Sequence, residues 1–239
     1  MSGMNTRLDL VLTITMLVAS GSAIGLVAKV WNQVPVTGKA PNVWSARPTP
    51  KLPAEPIELQ DVATLGSWEA PVVILMFSDF ECPFCKRFAT GVLPELKKRF
   101  VDTGRLLIGF RHLPLAKHTN ARFMAEAAEC ARQQGQFWRF HDELFQSDDR
   151  FGIGQQPRTV ARRFALDVSR FEKCMVAEAP AAVQRDLGFA SKVELSGTPT
   201  FLVGKRLGRT VQVSSVMVGA RPLTDFEDLM KQMLAVGSR

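Results

Sequence analysis

Soft metal ligands are scarce in this chain, with four cysteines and three histidines among 239 residues. Only Cys82 and Cys85 stand at the two-residue spacing of a paired ligand. A structural zinc site needs two more ligands. Neither Cys130 and Cys174 nor His112, His118 and His141 supply a second pair at ligand spacing. No metal site is therefore expected, and the histidines are read as packing or surface residues. Basic clusters with interleaved aromatics are also lacking. The net charge is +7, but Lys86-Arg87, Lys97-Lys98-Arg99, Arg162-Arg163 and Lys205-Arg206 are scattered. That is the pattern of a solvated basic surface and not of a nucleic-acid site, although attraction to acidic membrane surfaces stays open. Long charge-free stretches are rare, and the longest runs from Leu10 to Ala28.

That stretch lies between Asp9 and Lys29. Its length as a helix is about 28 Å, close to a bilayer core and beyond the usual signal-peptide run. The predicted organisation is a short tail over 1–9, a transmembrane anchor over 10–29, a linker over 30–56 and a folded domain over 57–236. Small residues Ala19, Gly21 and Ala23 also permit a cleaved signal. Arg7 on one side and Lys29, Lys39 and Arg47 on the other do not favour export of the domain by charge. Long domains translocate largely regardless of charge, and the cysteines argue for an oxidising compartment. The linker carries Pro35, Pro41, Pro48, Pro50, Pro53 and Pro56, which stiffens an extended spacer.

Ile57-Glu58-Leu59 is a short strand candidate, and Val72 to Phe77 is apolar throughout, as in a strand buried on both faces. A helix follows Cys82 to about Val101, with a kink predicted at Pro94. Leu106 to Phe110 is the next strand, completing a β-α-β unit. Ala121, Met124, Ala125 and Ala128 recur at helical spacing, as do Phe137, Phe140, His141, Leu144 and Phe145. Ser169-Arg170-Phe171-Glu172 has the form of a capping box, and Pro157 and Pro180 suit first helical turns. Strands return at Thr200 to Val203 and Val213 to Val218, before a helix with Leu223, Phe226, Met230 and Met233 on one face. The fold class is α/β, with β-α-β and β-β-α halves separated by an all-helical insertion at about 114–195.

Cys82-Pro83-Phe84-Cys85 thus joins a buried strand to a helix. Such a position places Cys82 at a helix N-terminus, where a thiolate is stabilised. Two cysteines at this spacing interconvert between disulfide and dithiol, so the motif reads as a redox centre. Four cysteines allow three pairings. The short spacing favours 82–85, which leaves Cys130 with Cys174. Gly197-Thr198-Pro199-Thr200 places a proline just before a strand, where a cis peptide bond and an ordinary trans one are both possible. Asp79 and Glu81 are read either as proton-relaying acids or as a solvated loop. Lys86 is read as a neighbour of the Cys82 thiolate or as a solvated lysine.

These motifs, together with Ala131-Arg132-Gln133-Gln134-Gly135-Gln136-Phe137-Trp138 and His141-Asp142-Glu143-Leu144-Phe145, resemble a DsbA-like thiol–disulfide oxidoreductase of the thioredoxin superfamily. The similarity is to the branch with a second cysteine pair in its helical insertion, and it covers about Pro56 to Leu234. It implies a thioredoxin fold with Cys82 as the exposed nucleophile and Cys85 as the buried partner. It also implies an active-site loop of Pro83, Phe84, Thr198 and a cis Pro199, and a structural disulfide between Cys130 and Cys174. No cofactor is implied. The motif differs from that of the best-known periplasmic oxidases in having Pro-Phe between the cysteines instead of Pro-His.

The function so implied is a membrane-tethered oxidase that introduces disulfides into exported proteins on the periplasmic or extracytoplasmic side. Its partners would be reduced or unfolded substrates and, by family inference, a quinone-linked membrane reoxidant. The alternatives are a reductase or isomerase using the same site, and a redox-inert binding or metal-delivery module on this scaffold. An isomerase ordinarily needs a dimerisation domain, and the proline linker is too short to be one.

Overall fold

The computed structural model describes residues 50–146 and 157–235. The tail, the anchor at 10–29 and the first part of the linker lie outside the described residues. Among the described residues no helix is long and apolar enough to cross a membrane.

The chain opens with strands β1 (Ile57–Glu58), β2 (Ala63–Leu65) and β3 (Val72–Ser78), followed by helix α1 (Pro83–Arg87). A π turn over Phe88–Val92, α2 (Leu93–Leu96) and a second π turn over Lys97–Val101 continue that helix to β4 (Leu106–His112). The insertion comprises α3 (Ala121–Arg132), α4 (Phe137–Gln146), α5 (Pro157–Arg163), α6 (Val168–Val176) and α7 (Glu178–Lys192). Strands β5 (Thr200–Leu207) and β6 (Thr210–Val218) and helix α8 (Leu223–Ala235) close the domain. The six strands form one sheet in the order β1-β6-β5-β3-β4-β2. β3 lies parallel to β4 and antiparallel to β5. The β-α-β and β-β-α halves expected from the sequence are both present around this sheet.

Every residue of β3 is buried, which is why Val72 to Phe77 reads as an unbroken apolar run. Val72, Ile74 and Met76 face a core shared with Cys82, Cys85 and Phe88, while Val73, Leu75 and Phe77 face a second core with Ala190 and Val193. An aromatic cluster joins the insertion to the first core. Phe80 stands 5.4 Å from Phe110 and 5.1 Å from Phe145, and Phe110 stands 5.0 Å from Phe137, by ring centroids. Each such pair contributes about 0.5–1.5 kcal/mol beyond its area burial. The helical insertion is thereby seated against β4 and the turn that delivers the cysteines.

One local expectation, the cap of α6, is corrected, and the irregularity at Pro94 takes the form of a widened turn. Pro94 has no N–H, so a hydrogen bond back to Thr90 cannot form. The helix accommodates this by widening, with the Leu93 N–H reaching five residues back to the Phe88 carbonyl. Ser169 does not cap α6. The cap is Asp167, whose carboxylate accepts from the Arg170 N–H at 2.8 Å. Its extended backbone suits an N-cap, and Ser169 falls within the helix.

Candidate active site

β3 ends at Ser78, and the chain turns through Asp79, Phe80 and Glu81 to place Cys82 at the N-cap of α1. The Cys82 N–H donates to the Asp79 carbonyl at 3.1 Å, and the Lys86 N–H donates to the Cys82 carbonyl at 3.0 Å. Pro83 occupies the first helical position, where its missing N–H has no cost. Phe84 is half exposed, with the Arg87 guanidinium over its ring at 5.2 Å.

The opposite wall comes from the start of β5. Thr198-Pro199 is a cis peptide bond. The Cys82 Sγ donates to the Thr198 carbonyl at 3.4 Å. The Gly219 N–H donates to the Pro199 carbonyl at 2.8 Å, and the Thr200 hydroxyl donates to the Gly197 carbonyl at 2.7 Å. Both ends of the loop are therefore held. Cys82, Cys85, Phe84, Thr198 and Pro199 are thus brought to one place. The expectation of an exposed Cys82 is corrected, because the residue is only 3% exposed. Its cover is the Thr198 loop, 116 positions away in sequence.

The two thiols have opposite acidities. Cys82 is lowered from an ordinary 9.0 to about 5. The hydrogen bond from the Cys85 side chain is the largest cause. Burial opposes it, and the backbone of Cys85 and Phe84 adds to it. Burial pushes the Cys85 thiol well above the ordinary range, and the adjacent Cys82 pushes it further. The Ser78 hydroxyl and the Asp79 backbone hydrogen-bond the Cys85 sulfur and oppose that rise. The arrangement is one reactive thiolate beside one neutral thiol.

A thiolate band at 240 nm in the reduced protein should therefore titrate with a midpoint near pH 5. A midpoint in the ordinary thiol range would contradict the geometry. Stability follows with a defined sign. The folded value lies below the unfolded one, so the reduced protein gains stability that is complete above the unfolded thiol value and lost as pH falls through about 5. The melting temperature of reduced relative to oxidised protein should fall over the same range.

Asp79 is not a solvated loop acid, which corrects the second of the two readings of that residue. It is 1% exposed and accepts from the Glu81 N–H at 2.8 Å, the Leu115 N–H at 2.7 Å and His118 Nδ1 at 2.7 Å. Glu81 accepts from both the backbone and the side-chain amide of Asn120. The two acids tie the active-site turn to the loop entering the insertion. His112 and His141 are buried, and burial holds both below the ordinary imidazole value.

Cys130 on α3 and Cys174 on α6 are joined by a disulfide, with Cα atoms 5.7 Å apart. Among the described residues no group of three or more His, Cys, Asp or Glu side chains could hold a metal ion. Sequence reasoning missed Ser78. Its one signal is that it is the first polar residue after the apolar run.

A family model described as thioredoxin matches residues 59–215. Over 152 residues the chain is 31% identical to a probable disulfide bond formation protein D of Bacillus anthracis, covering 60% of this chain and 70% of that one. Over 143 residues it is 37% identical to a Na(+)/H(+) antiporter, NhaA 3, of Salinispora tropica, covering 59% of this chain and 21% of the antiporter. The chain thus spans about a fifth of the length of that relative. Oxidised BdbD from Bacillus subtilis shares the fold with a TM-score of 0.63 at 21% identity, covering 79% of this chain and 99% of that one.

Proposed function

We propose, since this chain belongs to the DsbA-like family of the thioredoxin superfamily, that it is a thiol–disulfide oxidoreductase working as a disulfide oxidase. The observation that carries this reading is the placement of Cys82 at the N-cap of α1 and against the Thr198 loop, with its pKa lowered to about 5, beside a buried Cys85 whose thiol is pushed up. Stabilising the Cys82 thiolate stabilises the reduced enzyme and so makes its disulfide a stronger oxidant.

A substrate thiolate attacks Cys82 Sγ of the oxidised pair. The Cys82–Cys85 bond breaks, a mixed disulfide forms and Cys85 takes the electron pair. A second substrate thiolate attacks the substrate sulfur of that mixed disulfide and displaces the Cys82 thiolate. The substrate leaves oxidised by two electrons, and the enzyme keeps two reduced cysteines. Half-exposed Phe84 gives unfolded chains an apolar side chain to lie against. The charge-free run from Leu10 to Ala28 and the remote Cys130–Cys174 bridge support a membrane tether with the domain on the extracytoplasmic side. Reduced exported proteins are then its substrates, and a quinone-linked membrane protein restores the disulfide.

The test is incubation of the oxidised protein with a reduced dithiol peptide. The peptide should emerge oxidised with one equivalent of reduced enzyme. A Cys85→Ala variant, carrying Cys82 as a mixed disulfide with a small thiol, should be trapped on a monothiol peptide through Cys82. An unchanged peptide would refute the oxidase reading.

A further inference from the structure

The turn that delivers Cys82 is held by a buried carboxylate. Asp79 Oδ1 accepts the Glu81 N–H at 2.8 Å, two residues on. Asp79 Oδ2 accepts from the Leu115 N–H and from His118 Nδ1, both at 2.7 Å. The Asp79 backbone carbonyl accepts the Cys82 N–H at 3.1 Å. The same residue therefore carries the anchor to the loop after β4 and the bond that fixes the Cys82 backbone. Aspartate suits the first position of such a turn, because its side chain bonds its own backbone two residues on.

Neighbouring contacts act in the same direction. The Leu113 N–H donates to the Ser78 carbonyl at 2.9 Å, and Glu81 accepts from Asn120 at the start of α3. Between the two acids, Phe80 packs on Phe110 in the core. A carboxylate as buried as that of Asp79 is tolerated where hydrogen bonds fill it, and three do so here. A negative charge this close works against a thiolate at Cys82. Asp79 thus has two opposite influences on that sulfur, one through charge and one through placement.

We propose, resting on the exchange chemistry assigned above, that Asp79 is a positioning residue whose hold on Cys82 outweighs the repulsion of its charge. Its hydrogen bonds keep Cys82 at the N-cap of α1 and against the Thr198 loop. Cys82 has an extended backbone there, with φ −77° and ψ 121°, and its Sγ lies 3.4 Å from the Thr198 carbonyl. A sulfur so held sits at the N-terminal end of a helix, where negative charge is stabilised. When the turn is released, Cys82 moves off that position and its thiolate loses this support. His118 acts through Asp79.

Asparagine at this position separates the two influences. It removes the charge, and with one acceptor oxygen in place of two it cannot serve both sets of donors. The experiment is a pH titration of the 240 nm thiolate band in the reduced full-length protein, with the melting temperature measured beside it. In Asp79→Asn the midpoint should rise by about one pH unit, the size of a lost hydrogen bond to a charged group. The Cys82–Cys85 disulfide should become about tenfold harder to reduce at equilibrium with glutathione, because the reduced form has lost that support. A midpoint that falls shows that charge dominates, and overturns the proposal. An unmoved midpoint with a lowered melting temperature shows that Asp79 serves the fold alone, and overturns it too.

His118 supplies a second test that leaves the buried carboxylate in place. His118→Ala removes one donor and should raise the midpoint by about half a unit, in keeping with one ordinary hydrogen bond. His118→Asn keeps an N–H donor near the place of Nδ1 and should stay at the native midpoint. Equal rises in the two variants would trace the effect to loss of the imidazole itself and overturn the proposal. A native midpoint near pH 5 that falls or stays put in Asp79→Asn removes the proposal alone. A native midpoint in the ordinary thiol range, with peptide oxidation undiminished in Cys82→Ser, removes the exchange reading and the proposal with it.

Discussion

Replacing Cys82 by serine is expected to end oxidation of a dithiol peptide while leaving the fold in place. Serine is nearly isosteric and the position is 3% exposed, so little packing is lost. The chemistry has no substitute, because only a sulfur at this position can carry the mixed disulfide. Removing a nucleophile from a working site lowers turnover by on the order of 10³ or more. The variant should also lose the 240 nm band that titrates near pH 5, since Cys85 is pushed the other way. Peptide oxidation within tenfold of native would show that Cys82 is not the attacked sulfur. A redox-inert binding module would be indifferent to this substitution.

Removing the second disulfide should cost stability without ending the chemistry. The Cys130–Cys174 bridge spans a sequence separation of 44. The chain-entropy model assigns a loop of that size about 4 kcal/mol. Both cysteines are buried among core residues, so paired alanines also lose some packing. Against a total stability of about 5–15 kcal/mol this is a large fraction. For a domain of this size, it corresponds to a fall in melting temperature of roughly 10 °C. The Cys130→Ala, Cys174→Ala double variant, measured by thermal denaturation with the Cys82–Cys85 pair held oxidised, should show that fall. Peptide oxidation well below the new midpoint should remain close to native. An unchanged melting temperature with altered peptide oxidation would assign the bridge a regulatory role instead.

How much of this was legible depends on the range of the interactions. The reactive pair was legible because its determinants are local. An apolar run, a proline at the first helical position and two cysteines all lie within fifteen residues. The Thr198-Pro199 motif could be found, but its place beside Cys82 was legible only through the family resemblance, because that contact is made across 116 positions. The buried state of Cys82 was lost for the same reason. Asp79 looks like a loop acid until the backbone amide of Leu115 and the ring of His118 close on it. Ser169-x-x-Glu172 has the right letters for a cap, but Asp167 two residues earlier has the extended backbone and the better acceptor. β2 has three residues, too few for alternation to show. Ser78 carried almost no signal, since its effect is on Cys85, seven positions on.

The central claim is that a stabilised Cys82 thiolate makes this pair oxidising. Equilibrating the protein in glutathione buffers of graded ratio, with Cys130 and Cys174 tracked separately by alkylation, measures that directly. The account predicts a Cys82–Cys85 potential near that of DsbA, about −120 mV. A potential near that of thioredoxin, about −270 mV, would contradict it.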